Sequence, residues 1–259
     1  MNTIRKYILA AVILIFSLFP AMTEGVSDDP GRLFYKANSL YESRDFEKAA
    51  EEYQKIADEG VESGPLYYNL GNTYFKLGKI GSAILSYKKA RRLMPADSDL
   101  KSNLAYAQSL TEDSGLQPVG PSKLIWLVKI PFREFTLNGV ARMLISLYLL
   151  IIALIIGGII SPVFRRRATF IFYPLLIIFA LTISAFSARY FEEEVLTRGI
   201  VVAKEAECKY EPIDKSTTYF TLKEGQEVLV LKTRNGWRRI RRIDGKLAWV
   251  KSDAVEEID

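Results

Sequence analysis

The sequence predicts a multidomain membrane protein built from an all-α helical repeat, two transmembrane helices and a small all-β barrel. Three observations predict it. Met143–Val163 and Ala168–Ala188 are apolar stretches of 21 residues each, and neither contains a charged residue. Residues of fixed type recur at a 34-residue spacing between Asp28 and Leu110. Beyond Arg198 the apolar period shortens to two, and short strand-like runs alternate with turn dipeptides.

At about 1.5 Å per residue, each apolar stretch makes a helix of roughly 30 Å, the thickness of a bilayer's hydrocarbon core. A helix buried in a soluble core keeps a polar stripe, and these two have none. The expected spans are 139–163 and 168–188, joined by a cytoplasmic loop at 164–167. Arg165, Arg166 and Arg167 set that sidedness, because consecutive arginines are held on the cytoplasmic side. Both soluble segments then share the extracytoplasmic side. Ala153, Gly157 and Ser161 form a small-residue stripe on the first span, and Ala180, Ser184 and Ala188 form one on the second.

Charge follows this division. The net charge of +5 comes from the middle of the chain, where residues 118–189 hold eight basic residues and one acidic. The flanking segments are slightly acidic, so the basic balance reports topology and gives no support to a nucleic-acid partner. The chain has no histidine, which removes the commonest general base and metal ligand. Cys208 is the one cysteine and is expected to be a small packed residue. With no nucleophile motif, metal cluster or phosphate loop, the expectation is no catalytic residue, no metal, no cofactor and no enzyme.

In chain order, Met1–Thr23 reads as a signal peptide, with basic Arg5 and Lys6, an apolar run over Tyr7–Phe19 and small residues before Thr23. Next comes the helical repeat, 28–110. Tyr67, Leu70, Gly71, Tyr74, Gly78, Ala83, Tyr87, Ala90 and Pro95 occupy positions 4, 7, 8, 11, 15, 20, 24, 27 and 32 of a 34-residue unit. Gly71 and Ala83 let two antiparallel helices approach, the aromatic residues fill the seam, Gly78 opens the turn and Pro95 ends the second helix. This pattern resembles the tetratricopeptide repeat (TPR). A degraded copy lies 34 residues upstream, with Ala37, Leu40, Phe46, Ala49, Tyr53 and Ile56. Ser98 to about Leu110 is expected to be a capping helix.

The resemblance implies a concave groove that binds extended peptides. Tyr68, Asn72 and Phe75 face it in the repeat register, which suits a partly apolar peptide; packing against the capping helix is the alternative. Asn38 and Asn69 match the asparagines of the carboxylate-clamp subclass, but its cationic positions hold Phe34, Asp99 and Asn103, so a clamp is rejected.

Residues 111–122 have linker composition, and 123–138, with Trp126, reads as an interfacial segment. In 198–259, five runs near 200–203, 217–222, 227–232, 236–243 and 246–250 are expected strands. Glu224-Gly225, Asn235-Gly236 and Asp244-Gly245 mark turns between them. The segment resembles a bacterial SH3-like domain. Within it, alternation sends Arg238 and Arg242 to one face and Arg239 and Arg241 to the other, as in a solvated hairpin.

Signal, repeat, membrane hairpin and SH3-like barrel in this order resemble the BatE-like proteins of bacterial aerotolerance operons. That resemblance implies a multi-pass protein of the bacterial inner membrane, with partners that are membrane proteins carrying von Willebrand A domains. The function expected is a non-catalytic scaffold that assembles protein partners in an oxidative-stress complex at the lipid bilayer. The alternative is a cell-wall sensor that binds peptidoglycan peptide through the SH3-like domain.

Overall fold

The computed structural model describes residues 30–111 and 130–258. The expected signal peptide, nearly all of the linker and the first part of the interfacial segment, including Trp126, lie outside the described residues.

The helical unit comprises α1 (Pro30–Glu42), α2 (Phe46–Asp58), α3 (Gly64–Lys76), α4 (Ile80–Leu93) and α5 (Ser98–Ser109). Local chemistry starts and stops these helices. Asp45 and Asp97 accept hydrogen bonds from the backbone N–H groups of Lys48 and Leu100, which would otherwise be unpaired at a helix start. Two small-residue contacts allow close packing. Ala37, Ala49, Ala83 and Ala90 are fully buried, and a Cβ on Gly71 would lie 2.6 Å from the Tyr87 ring. Gly78 turns the chain at φ 71°, and Arg44, 34 residues earlier, makes the same left-handed turn at φ 65°. The degraded copy is therefore a structural repeat that keeps its turn without its glycine.

A 3₁₀ turn at Ile130–Phe132 leads to α6 (Leu137–Ile160), and α7 (Pro162–Tyr190) returns antiparallel to it. Both are long and apolar enough to cross a membrane. They expose large apolar side chains, among them Ile159 and Phe170. The four-residue loop expected at 164–167 is corrected: those residues are helical, because the Ser161 hydroxyl accepts the Phe164 N–H and caps α7 ahead of them. Gly157 permits this tight corner, where a Cβ would meet the Phe164 ring at 2.6 Å. At the other end, Arg189 donates to the carbonyls of Phe132 and Phe135 and pairs with Glu193, tying the end of α7 to the turn before α6.

A one-turn π-helix, Phe191–Val195, leads into seven strands: β1 (Arg198–Val201), β2 (Glu205–Lys209), β3 (Thr218–Lys223), β4 (Glu227–Arg234), β5 (Trp237–Arg241), β6 (Leu247–Lys251) and β7 (Val255–Glu257). All pairings are antiparallel, in the order β3-β2-β6-β5-β4-β1-β7. The five expected strands are thus corrected to seven among the described residues. Asn235-Gly236 forms the expected hairpin turn, with φ 50° and 78°. The inward side chains of the sheet, including Cys208, Leu222, Val228, Ile240 and Val250, make its core.

β1 belongs to two cores at once. Successive strand residues point to opposite faces, so Val201 enters the sheet core while Ile200 enters the core of the helical repeat beside Ile84. The two modules pack as neighbours, with α4 lying on β1.

Candidate protein-interaction site

The first helices of the repeat, α1, α3 and α5, carry a polar ladder with the period of the fold. Asn38 Oδ1 accepts hydrogen bonds from the Tyr53 hydroxyl at 2.5 Å and from Asn69 Nδ2 at 3.1 Å. Thirty-four residues on, Asn72 Oδ1 accepts from the Tyr87 hydroxyl at 2.8 Å and from Asn103 Nδ2 at 3.1 Å. Each rung joins two consecutive first helices to the second helix packed between them. Burial pushes the Tyr53 phenol up to about 12, partly offset by the neighbouring Asn69 amide, and it pushes Tyr87 up further. Both therefore stay neutral donors, as the ladder requires.

Of the residues that the sequence places on the groove, Tyr68, Asn69, Asn72, Phe75 and Asn38 are all half-buried. The capping helix touches three of them. Asn103 of α5 donates to the Tyr68 hydroxyl at 3.0 Å and to Asn72, and the Phe75 ring lies 5.6 Å from that of Tyr106. Their remaining surface stays open, an apolar band of ring edges interrupted by amides. Such a surface can take apolar side chains while its amides bond to a peptide backbone. The clamp positions stay without cations around Asn38 and Asn69: Phe34 packs edge-on against Tyr53 at 5.8 Å, Asn103 is consumed by the ladder and Asp99 is exposed.

Sequence reasoning missed Tyr53 and Asn103 as members of this network. The signal was available, since Asn38, Tyr53 and Asn69 each reappear 34 residues later as Asn72, Tyr87 and Asn103. It also missed the contact between modules. The Gly81 N–H donates to Glu224 Oε1 at 2.7 Å, Lys88 pairs with Glu227, and Arg92 donates to the Ile258 carbonyl at 3.1 Å. Glu227 is also paired with Arg198 at 3.2 Å. The continuous apolar run Ile200-Val201-Val202 was the clue, because a strand covered on both faces loses its polar alternation.

On the sheet, Arg239 and Arg241 are exposed, as alternation predicts. Arg238 pairs with Glu257 at 3.2 Å, and Arg242 pairs with Asp244 at 2.6 Å while lying over the Phe220 ring. Cys208 is fully buried, and burial pushes its thiol up to about 12, with Arg242 opposing weakly, so the reactive thiolate is scarce. A hollow of about 400 Å³ opens beside Trp237, between carboxylates such as Glu205 and Asp253 and the amines of Lys209 and Lys251.

Among protein families, the tetratricopeptide repeat matches residues 65–97, the stretch that forms α3 and α4. No curated protein matches the chain. Among solved structures, NlpC2 from Trichomonas vaginalis is similar at a TM-score of 0.22 and 20% identity, over 24% of this chain and 25% of that one. NlpC1 from the same organism gives a TM-score of 0.22 and 21% identity, over 24% and 23%. The chain spans about a quarter of the length of these structures.

Proposed function

We propose that this chain is a non-catalytic membrane adaptor that gathers protein partners through its tetratricopeptide repeat. The single observation that carries the reading is the asparagine ladder, which holds Asn72 and, through Asn103, Tyr68 on a half-open face that Phe75 of the same helix extends. A recognition surface gains affinity when its contacts are rigid before the partner arrives. α6 and α7 cross the bilayer in this reading, and their exposed Ile and Phe side chains then meet lipid instead of water. Arg165, Arg166 and Arg167 keep the corner on the cytoplasmic side and both soluble modules outside, in the inner membrane. The sheet serves as an SH3-like module, and the order of modules supports membership of the BatE-like aerotolerance proteins, with von Willebrand A membrane proteins as partners.

The modules pack together through α4 and β1, so the adaptor presents one composite surface. A photoreactive residue placed at Phe75, in the full chain in native membranes, is expected to form adducts with membrane proteins. The same residue at exposed Glu51 is not. Equal adducts at both positions, or none at Phe75, would remove the groove from the function.

A second reading, a cell-wall sensor, is favoured by the hollow beside Trp237, whose mixed charges suit a peptide bearing both amines and carboxylates. Muropeptide that binds the full chain and is lost on Lys251→Glu would support it. No binding would end it.

A further inference from the structure

We infer that the chain holds the phosphate of an anionic glycerophospholipid in a cationic cavity where the repeat, the sheet and the ends of the two long helices meet. This rests on the membrane-spanning reading of α6 and α7.

The cavity measures about 660 Å³, the size of a small-ligand site. Every part of the fold contributes a cation. Lys88, Arg91 and Arg92 come from α4, Arg133 follows the 3₁₀ turn, Arg189 lies in the last turn of α7 and Arg198 opens β1. With Lys101, seven cationic side chains line it among the described residues, against two carboxylates, Glu193 and Glu227.

Those carboxylates are already engaged. Glu193 sits on Arg189 at 2.6 Å, and Glu227 lies between Lys88 and Arg198. Outside the lining, Lys101 pairs with Glu134. Arg91 makes no side-chain ion pair or hydrogen bond among the described residues, and Arg133 has Glu134 Oε1 only at 3.8 Å. Arg91 keeps part of its surface in solvent, and the cavity walls desolvate the rest, which pulls the guanidinium below its ordinary value; Glu227 opposes this, while Arg198 and Arg133 add to it. Positive charges gathered from five separate parts of the chain repel one another and cost stability unless an anion joins them. Guanidinium groups match phosphate oxygens in pairs; among the described residues Arg91 and Arg133 can do so, and the buried Arg198 Nε also has no hydrogen-bond partner.

Position selects the source of the phosphate. Arg189 ends a helix of membrane length, and Ile130 and Leu196, beside it, give the cavity apolar lining where acyl chains would begin. A phosphate at that depth belongs to a lipid headgroup.

The test uses the purified full chain in detergent micelles doped with phosphatidylglycerol or with phosphatidylcholine, and native mass spectrometry counts the lipid retained. Wild type is expected to keep one phosphatidylglycerol in preference to phosphatidylcholine. Arg91→Gln with Arg133→Gln should lower that preference about fivefold for each charge removed. Arg91→Lys with Arg133→Lys should keep most of it. Equal retention of both lipids, or a preference unchanged in the glutamine variant, would overturn the site. Stabilisation by inorganic phosphate alone, with no lipid retained, would overturn the lipid source. Failure of the membrane reading is seen separately, as a chain that does not float with vesicles of either lipid.

Discussion

The backbone N–H of Gly81 lies 2.7 Å from Glu224 Oε1, joining the first turn of α4 to the turn between β3 and β4. Glycine is required there by space. A Cβ on Gly81 would come within 2.5 Å of the Val201 carbonyl and 2.8 Å of Glu224 Cγ. Gly81→Ala is therefore expected to push α4 off β1 at a cost of about 1–3 kcal/mol. Calorimetry of the full chain in detergent should show separate melting of repeat and sheet in the variant, and common melting in the wild type. Unchanged melting would mean that the modules are not coupled through this contact.

The same contact carries a pH dependence. Burial alone would raise the Glu227 carboxyl, but Lys88 and then Arg198 more than offset this and hold it below its ordinary 4.5. A carboxylate whose folded value is depressed stabilises the fold above its unfolded value, and that stability is lost as pH falls through the folded value. Lys88 is itself pulled down, by burial first, with Glu227 opposing. The stabilisation is thus held by the carboxylate more than by the buried amine. The melting temperature should drop as pH falls below about 4.5, and Glu227→Gln should flatten that part of the drop. A variant that keeps the full acid dependence would place it elsewhere.

What the sequence made legible follows from the range of each interaction. Gly71, Ala83 and Tyr87 were readable because repeat packing depends on fixed spacing, and each sits in the predicted seam. The two long helices were readable from composition alone. β2 was not, because Glu205, Glu207 and Lys209 alternate outward and lower its strand propensity, although Ala206 and Cys208 alternate inward. β7 has three residues and forms only by pairing with β1. The groove residues were placed by register, but the hydrogen bonds from Asn103 to Tyr68 and Asn72 depend on how α5 docks on α3 in the folded chain. The cationic cavity was illegible for a different reason: its lining spans Lys88 to Ile258, and no local pattern joins such distant positions.

Arg44 tests the degraded repeat. It adopts φ 65° where its counterpart Gly78 adopts 71°, a region in which a side chain costs about 1–3 kcal/mol. Arg44→Gly relieves that strain and gives back part of it through a freer unfolded chain. The net expectation is a gain of about 1 kcal/mol in thermal or denaturant unfolding of the full chain. Gly78→Arg should do the reverse. A destabilised Arg44→Gly would show that the arginine contributes something beyond its backbone.

Topology is tested by cysteine labelling in spheroplasts. Single cysteines at Ser63 and Lys215 should react with an impermeant thiol reagent, and one at Arg166 should not. Native Cys208 should stay silent because it is buried and its thiol is pushed up to about 12. Labelling confined to Arg166 would reverse the orientation and separate the modules from extracytoplasmic partners.

The groove separates structural from recognition roles residue by residue. Asn72 holds the Tyr87 hydroxyl and Asn103 together, so Asn72→Ala leaves polar groups inside the repeat without a partner. A loss of about 1–3 kcal/mol is expected, with partner binding falling only because the repeat loosens. Tyr68 and Phe75 are half-open and keep one contact each with α5, Asn103 at 3.0 Å and the Tyr106 ring at 5.6 Å. Truncating both to alanine should therefore cost less than the roughly 3–5 kcal/mol of a fully buried ring, leaving the chain folded. The same double variant should lose the membrane partners that co-purify with wild type, because exposed aromatic rings beside fixed amides are where binding energy concentrates. A folded variant that keeps its partners would assign recognition to the sheet, and a variant that unfolds would make these rings part of the packing of α5.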